Sequence, residues 1–243
     1  MVDGRNGFIR FELAISQKMH LANMAKKVYP VLDPDLDPVL RIQHEGIPTF
    51  SDLKKILERV GRPYDWDLRK EYHEAASVAY ISEKLAQPGS RRYSFWVGNK
   101  EVGGTIIANV EPDVRRIFEK AADDNGIAPL GIEPDDASKT IEIYKIGLFP
   151  EHTKRGWGKH FLPMLFKELF NHPSEPEVVY LNTRNTNHEG VLKFYTGLNM
   201  NVIHARSYPN DLIPRSRLRK PANDSGFEAV APMPAPNPNA GVA

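Results

Sequence analysis

The chain has 243 residues, 41% hydrophobic and 26% charged, enough for one sizeable core or at most two small domains. Its 32 Lys and Arg against 31 Asp and Glu leave a net charge of +1, so neither nucleic acid nor an anionic membrane is an expected partner, and any basic site must be local. The absence of cysteine excludes disulfides, thiolate metal sites and a cysteine nucleophile. Met1 to Arg10 lacks the roughly 7 to 15 residue apolar stretch of a signal peptide, and no run approaches the roughly 18 apolar residues of a membrane span, so a cytoplasmic location is expected.

Residues 8–16 alternate Phe8, Arg10 and Glu12 against Ile9, Phe11 and Leu13, which predicts a half-buried strand with residues 39–44 as a plausible partner. Prolines and aspartates make 31–38 a loop. Thr49 or Ser51 caps a helix running to about Val60, with Leu53, Ile56, Leu57 and Val60 on one face. The connector that follows, Gly61 to Arg69, is unusually aromatic, and a helix is predicted from about Asp67 to Leu85. Tyr93–Val97 and Glu101–Ala108 flank Gly98-Asn99-Lys100 as a β-hairpin. Residues 112–138 read as an insertion. Thr140–Leu148 is a strand, 156–170 a helix with Phe161, Leu165, Leu169 and Phe170 inward, 178–183 a strand, 187–196 a helix and 200–205 a strand. This succession predicts an α/β fold with a mixed sheet and ligands where its strands end or splay. One domain is expected over 1–220, followed by a Pro- and Ala-rich tail, 221–243, expected to be disordered.

The run from Ile141 to Gly158 carries the most chemistry. A strand passes through a turn into Lys154-Arg155-Gly156-Trp157-Gly158 and then a helix, which builds an anion site. Glycines let a ligand approach the backbone, amides at a helix start point at negative charge, and Lys154 and Arg155 add cations suited to a diphosphate.

Thr153-Lys154-Arg155-Gly156-Trp157-Gly158 resembles the Q/R-x-x-G-x-G/A signature of the GNAT (GCN5-related) N-acetyltransferase superfamily, with Thr153 where glutamine or arginine is usual. The core resemblance covers about 93–206. Pro63-Tyr64-Asp65-Trp66-Asp67-Leu68-Arg69 and Asn187-His188-Glu189-Gly190-Val191-Leu192-Lys193-Phe194-Tyr195 resemble two further stretches found in a group of these proteins, while Asn199-Met200 stands where Gly-Phe is usual.

The resemblance implies a mostly antiparallel, splayed sheet flanked by helices and acetyl-CoA as co-substrate. It implies backbone contacts to pantetheine from Ile146, Gly147 and Leu148, and diphosphate contacts from Thr153, Lys154, Arg155, Gly156, Trp157 and Gly158. It also implies Tyr195 as general acid toward the departing thiolate, for which a hydroxyl of pKa about 10 suits a thiol of about 8.5. Strand parity places Glu142, Tyr144, Ile146 and Leu148 on one face, which makes Glu142 the candidate base. Trp66, Arg69 and Tyr144 are candidates to line the acceptor site. No histidine pair has ligand spacing such as H-E-x-x-H, so no metal is expected, and Arg215 to Lys220 reads as a solvated basic edge. The expected activity is transfer of acetyl from acetyl-CoA to a primary amine of a small molecule or peptide, directly in a ternary complex, with a homodimer as a candidate assembly. The alternatives are a non-catalytic acyl-CoA-binding or partner-binding module, or a macromolecular acceptor such as a protein N-terminus or aminoacyl-tRNA.

Overall fold

Seven strands form one sheet in the order β2-β3-β4-β5-β6-β1-β7 in the computed structural model, which describes residues 7–30, 39–109, 139–172, 176–187 and 190–209. Described residues all fall in one compact unit, Met1–Leu212; the second, Ile213–Ala243, lies outside them, as do the expectations placed on 31–38, 112–138 and the tail. The strands are β1 Gly7–Ser16, β2 Leu40–Gly46, β3 Arg91–Val97, β4 Lys100–Asn109, β5 Thr140–Leu148, β6 Val178–Arg184 and β7 Asn201–Pro209. Every pairing is antiparallel except β5 with β6. The fold is therefore mixed α/β, as the strand and helix succession predicts.

Helices α1 (Gln17–Ala25) and α4 (Gly158–Phe170) pack together, with His20 ring centroids 5.9 Å from Phe166 and 5.4 Å from Phe170. Helices α2 (Phe50–Arg59) and α3 (Ala75–Ala86) cover the opposite face. The split is legible at adjacent residues of β4, where Ile107 joins the cluster of Phe161, Leu165 and Phe166, and Ile106 joins that of Leu53, Leu57 and Leu85. Each such side chain removed from water contributes about 1.5–3 kcal/mol. Helix α5 (Val191–Gly197) sits beside α4 through Phe194, which a Cβ on Gly158 would approach to 3.4 Å.

The helix over 50–59 forms as its sequence dictates. Thr49 Oγ1 accepts from the Asp52 amide at 3.2 Å while Asp52 accepts from the Thr49 amide at 3.0 Å, a complete capping box. Three expectations change. β2 pairs with β3 rather than β1, and β1 lies inside the sheet between β6 and β7 with both faces covered. Its alternation of charge instead marks a buried network, with Arg10 Nε 2.5 Å from Glu12 and the Tyr180 hydroxyl donating to Glu12. The helix predicted from Asp67 begins only at Ala75, because Arg62–Tyr64, Trp66–Leu68 and Lys70–Tyr72 are separate 3₁₀ turns, broken by left-handed Asp65 (φ 55°).

His20 is buried, with Nδ1 3.1 Å from the Tyr29 hydroxyl, and burial lowers its pKa to about 4. The unfolded chain takes up a proton near pH 6.5 that the folded chain refuses until about 4. Stability conferred by neutral His20 is thus complete above pH 6.5 and is lost as pH falls toward 4. Urea unfolding from pH 7.5 to 5 should show the native protein losing stability more steeply than His20→Gln; parallel curves would contradict the assignment.

Candidate active site

The parallel pairing of β5 with β6 runs only from Thr140 opposite Val178 to Ile143 opposite Leu181, although the strands continue to Leu148 and Arg184. The divergence begins at a bulge. On β4, Ile107 faces Ile143 but Ile106 faces Lys145, so Tyr144 is the extra residue, and a bulge bends and twists its strand. The extra residue also corrects the parity expected from sequence. Glu142 and Tyr144 face α3, whereas Ile146 and Leu148 join the cluster on the opposite face beneath α4. The Phe149 amide donates to Val102 O at 2.8 Å, so by alternation the amides of Ile146 and Leu148 point away from β4 into the gap that β6 has left.

A cavity of about 430 Å³ occupies that gap. One wall is the bent half of β5, another the end of β6, and its far end is the turn before α4. In that turn Lys154 (φ 60°) and Gly156 (φ 77°) are both left-handed. For the lysine this costs on the order of 1 kcal/mol, and such residues turn backbone amides into an anion-binding concavity. Trp157 precedes the helix without a side-chain cap, leaving the first amides of α4 available. Lys154, Gly156, Trp157 and Gly158 line the cavity, with Lys159 in addition. Thr153 also lines it, but its hydroxyl donates to Pro150 O at 2.8 Å and so braces the preceding turn. Arg155 is not a lining residue; its guanidinium lies 5.2 Å from the Trp157 ring centre. Gly147 has a packing role besides its place on the wall, since a Cβ there would come within 2.2 Å of Val60 Cγ1.

Tyr195 reaches this cavity from α5, with its ring 5.3 Å from Phe194, and burial raises its hydroxyl well above the ordinary range. Trp66 closes the opposite side. Its Nε1–H donates to Asn187 Oδ1 at 2.9 Å, and Asn187 Nδ2 donates to Thr183 Oγ1 at 2.9 Å, so the aromatic connector is tied across the cavity to the end of β6. Gly61 permits this, because a Cβ there would lie 2.5 Å from Trp66 Cβ.

A second cavity, about 450 Å³, lies on the α3 side of β5. Arg69, Tyr144, Lys145, Asn182 and Arg184 line both, so the two meet at the bulge. Glu142 lines the second, its carboxylate 2.8 Å from Lys84 Nζ and 3.3 Å from Asn182 Nδ2. Lys145 Nζ lies 4.1 Å from the Tyr144 ring centre and 5.8 Å from that of Tyr72. Burial lowers its pKa to about 7, Arg69 and Arg184 pushing the same way and Glu71 and Glu142 opposing. Burial would raise Glu71, but Lys145, the neighbouring Tyr72 hydroxyl, Arg69 and Arg184 together outweigh it and hold that carboxyl below its usual range.

The structure thus brings Trp66, Arg69, Tyr144, Tyr195 and most of the expected phosphate turn to one cavity, and Glu142 to the adjoining one. Sequence reading passed over Lys145, Asn187, Arg184, Asn182, Glu71 and Lys159. A lysine inside Ile-Glu-Ile-Tyr-Lys-Ile was the available signal, since a charged side chain in a central strand requires a polar pocket. Among the described residues no group of three or more His, Asp or Glu could hold a metal, and no helix is long and apolar enough to cross a membrane.

No protein-family model matches the chain, and comparison with curated proteins returns no match. Among solved structures, a functionally unknown conserved protein from Staphylococcus epidermidis aligns at TM-score 0.46 and 15% identity, over 85% of this chain and 63% of its own. A GCN5-related N-acetyltransferase from Kribbella flavida aligns at TM-score 0.44 and 9% identity, over 86% and 61%, and a possible acetyltransferase from Clostridium difficile at 0.39 and 12%, over 72% and 99%. The chain therefore spans under two thirds of the first two. Likeness at these scores decides nothing by itself, and the site's chemistry rests on its own geometry.

Asn187→Ala should cost about 1 kcal/mol by removing the acceptor of the Trp66 indole and should shift tryptophan emission to the red, as measured by urea unfolding followed by fluorescence. Unchanged emission and stability would show that the tie does not hold Trp66.

Proposed function

We propose that the chain is an acyltransferase of the GNAT type that moves an acetyl group from acetyl-CoA to a primary amine by direct transfer. One observation carries this reading: β5 leaves β6 at the Tyr144 bulge, and the cavity so opened runs from two free strand amides to a left-handed turn at the start of α4. An elongated ligand with an amide-bearing arm and a terminal diphosphate fits such a site. The absence of cysteine suits a cytoplasmic, reducing setting.

The residues present fit acetyl-CoA, which supplies the activated thioester. Lys154, Lys159 and the amides from Gly156 to Gly158 would hold its phosphates, with Arg155 adding positive potential nearby. The Ile146 and Leu148 amides would pair with its pantetheine arm. The bulged backbone at Tyr144–Lys145 provides fixed dipoles where negative charge develops on the carbonyl oxygen, and such preorganised polarity is usually the largest contribution to rate. Burial raises Tyr195, which keeps its proton in place through the neutral range but makes it a weaker acid than the free side chain on which the sequence expectation rests, so it gives that proton to the departing sulfur only as negative charge builds there.

On the acceptor side two groups can take the ammonium proton. Glu142 can do so directly or through water, but its carboxylate is already engaged by Lys84 at 2.8 Å and by Asn182 at 3.3 Å. Lys145, titrating near 7 at the junction of the cavities, is the better matched base, with Glu142 holding the acceptor ammonium.

Gly156→Asp should abolish acetyl-CoA binding in calorimetry, whereas Tyr195→Phe should retain binding and lose roughly 10²-fold in kcat. Because the base must be neutral, kcat should rise with pH through about 7 and level off above it, and Lys145→Gln should lose that rise. A rise persisting in Lys145→Gln would return the role to Glu142 or water. No CoA release with any amine, or full activity in Tyr195→Phe, would contradict the transferase reading or the acid role respectively.

A further inference from the structure

Two lysines are buried among the described residues, and they are held in different ways. Lys84 Nζ lies 2.8 Å from Glu142, in an ion pair on the α3 side of β5. Lys145 Nζ makes no hydrogen bond or ion pair to any described residue. It lies instead 4.1 Å from the Tyr144 ring centre and 5.8 Å from that of Tyr72. Aromatic faces attract a cation only modestly, and they do not fix its proton as a carboxylate at contact distance does.

The backbone under this side chain is set by the bulge. Lys145 follows the extra residue Tyr144, faces Ile106 on β4, and its carbonyl accepts from Thr105 Oγ1 at 2.8 Å. Charged and titratable groups reach it from every side: Arg69, Glu71 and Tyr72 from the connector, Glu142 and Tyr144 from β5, Arg184 from β6, and Lys84 from α3, which lies 4.9 Å from the same Tyr144 ring. Glu71 and Glu142 favour the ammonium, Arg69 and Arg184 oppose it, and burial carries the balance to a pKa of about 7. Lys145 also lines both cavities, so its side chain stands where the donor cavity opens into the second one. A buried primary amine at that junction has the chemistry required of an acyl acceptor.

We propose that Lys145 is itself acetylated by acetyl-CoA held in the first cavity when no acceptor amine is present. This rests on the acyltransferase reading and adds a modification site to it. The Nζ lone pair forms a bond to the carbonyl carbon, the carbon–sulfur bond breaks, and its electron pair leaves with sulfur. Sulfur takes the Tyr195 proton, and the proton shed by Nζ restores Tyr195, so the products are acetyl-Lys145 and CoA thiol. An amide is not cleaved by an incoming amine as a thioester is, which makes the product an end point and not a relay to the acceptor. The acetylated side chain has no basic nitrogen, so modification also removes the base and closes the site to turnover.

The test is to incubate the full chain with acetyl-CoA and no added amine, then to read intact mass and map the modified peptide. One acetyl group should be gained at Lys145, at a rate that saturates with acetyl-CoA and rises with pH through about 7. Gly156→Asp should abolish that labelling, Lys145→Arg should remove it from the map, and an amine that is turned over should slow it. Lys145 left unmodified while acetyl-CoA binds and amines are acetylated would overturn the proposal and leave the transferase reading standing. Labelling of exposed lysines alone, or labelling of Lys145 that persists in Gly156→Asp, would overturn it as well. Absence of acetyl-CoA binding in calorimetry would overturn both readings. Should Lys145→Arg fail to fold, the peptide map of the native protein decides.

Discussion

Everything distinctive about this molecule follows from the point at which β5 stops pairing with β6. A sheet that paired fully would satisfy the amides of Ile146 and Leu148 with its own backbone and leave no room for a ligand. One extra residue, Tyr144, bends β5 away after Ile143, and the strand amides beyond it face a cavity instead of a neighbour. Unpaired backbone groups inside a protein are costly unless a ligand or water answers them, so a strand edge freed in this way favours a hydrogen-bonding occupant.

The same bulge partitions the electrostatics. Ile146 and Leu148 lie beneath α4, giving the first cavity apolar walls that end at a cationic turn, while Glu142, Tyr144 and Lys145 project toward α3 into a space lined by ions. Two cavities of different chemistry therefore open onto one stretch of backbone from opposite faces. Trp66, tied to Asn187, and Arg69, lining both spaces, come from a connector that has no regular helix, because a left-handed Asp65 and a series of tight turns aim adjacent side chains in different directions.

Much of this was legible in the chain. The capping box at Thr49, the hairpin at Gly98 with its φ of 57°, and the strand, turn and helix around Gly156 each carry a local signal strong enough to survive tertiary context. What escaped was nonlocal. Nothing near residues 40–46 says which strand they pair with, and the alternation in β1 could not reveal that both its faces are covered. Helix α1 went unseen because its buried residues are His20 and Asn23 while Leu21 and Met24 are exposed, the reverse of an amphipathic pattern. The β5 bulge inverted the facing of two candidate residues, since a strand's parity holds only where the ladder is regular. Lys145 lines both cavities, and its one local signal was a charged side chain inside an otherwise apolar strand.

The central claim is that the freed edge of β5 and the turn before α4 form one ligand-binding surface. Amide hydrogen exchange with and without saturating CoA tests it most directly. The account predicts slowed exchange at Ile146 and Leu148 together with the amides from Arg155 to Lys159, and no change in the β3–β4 hairpin. Protection confined to other elements, or none at β5 while CoA binds, would contradict it.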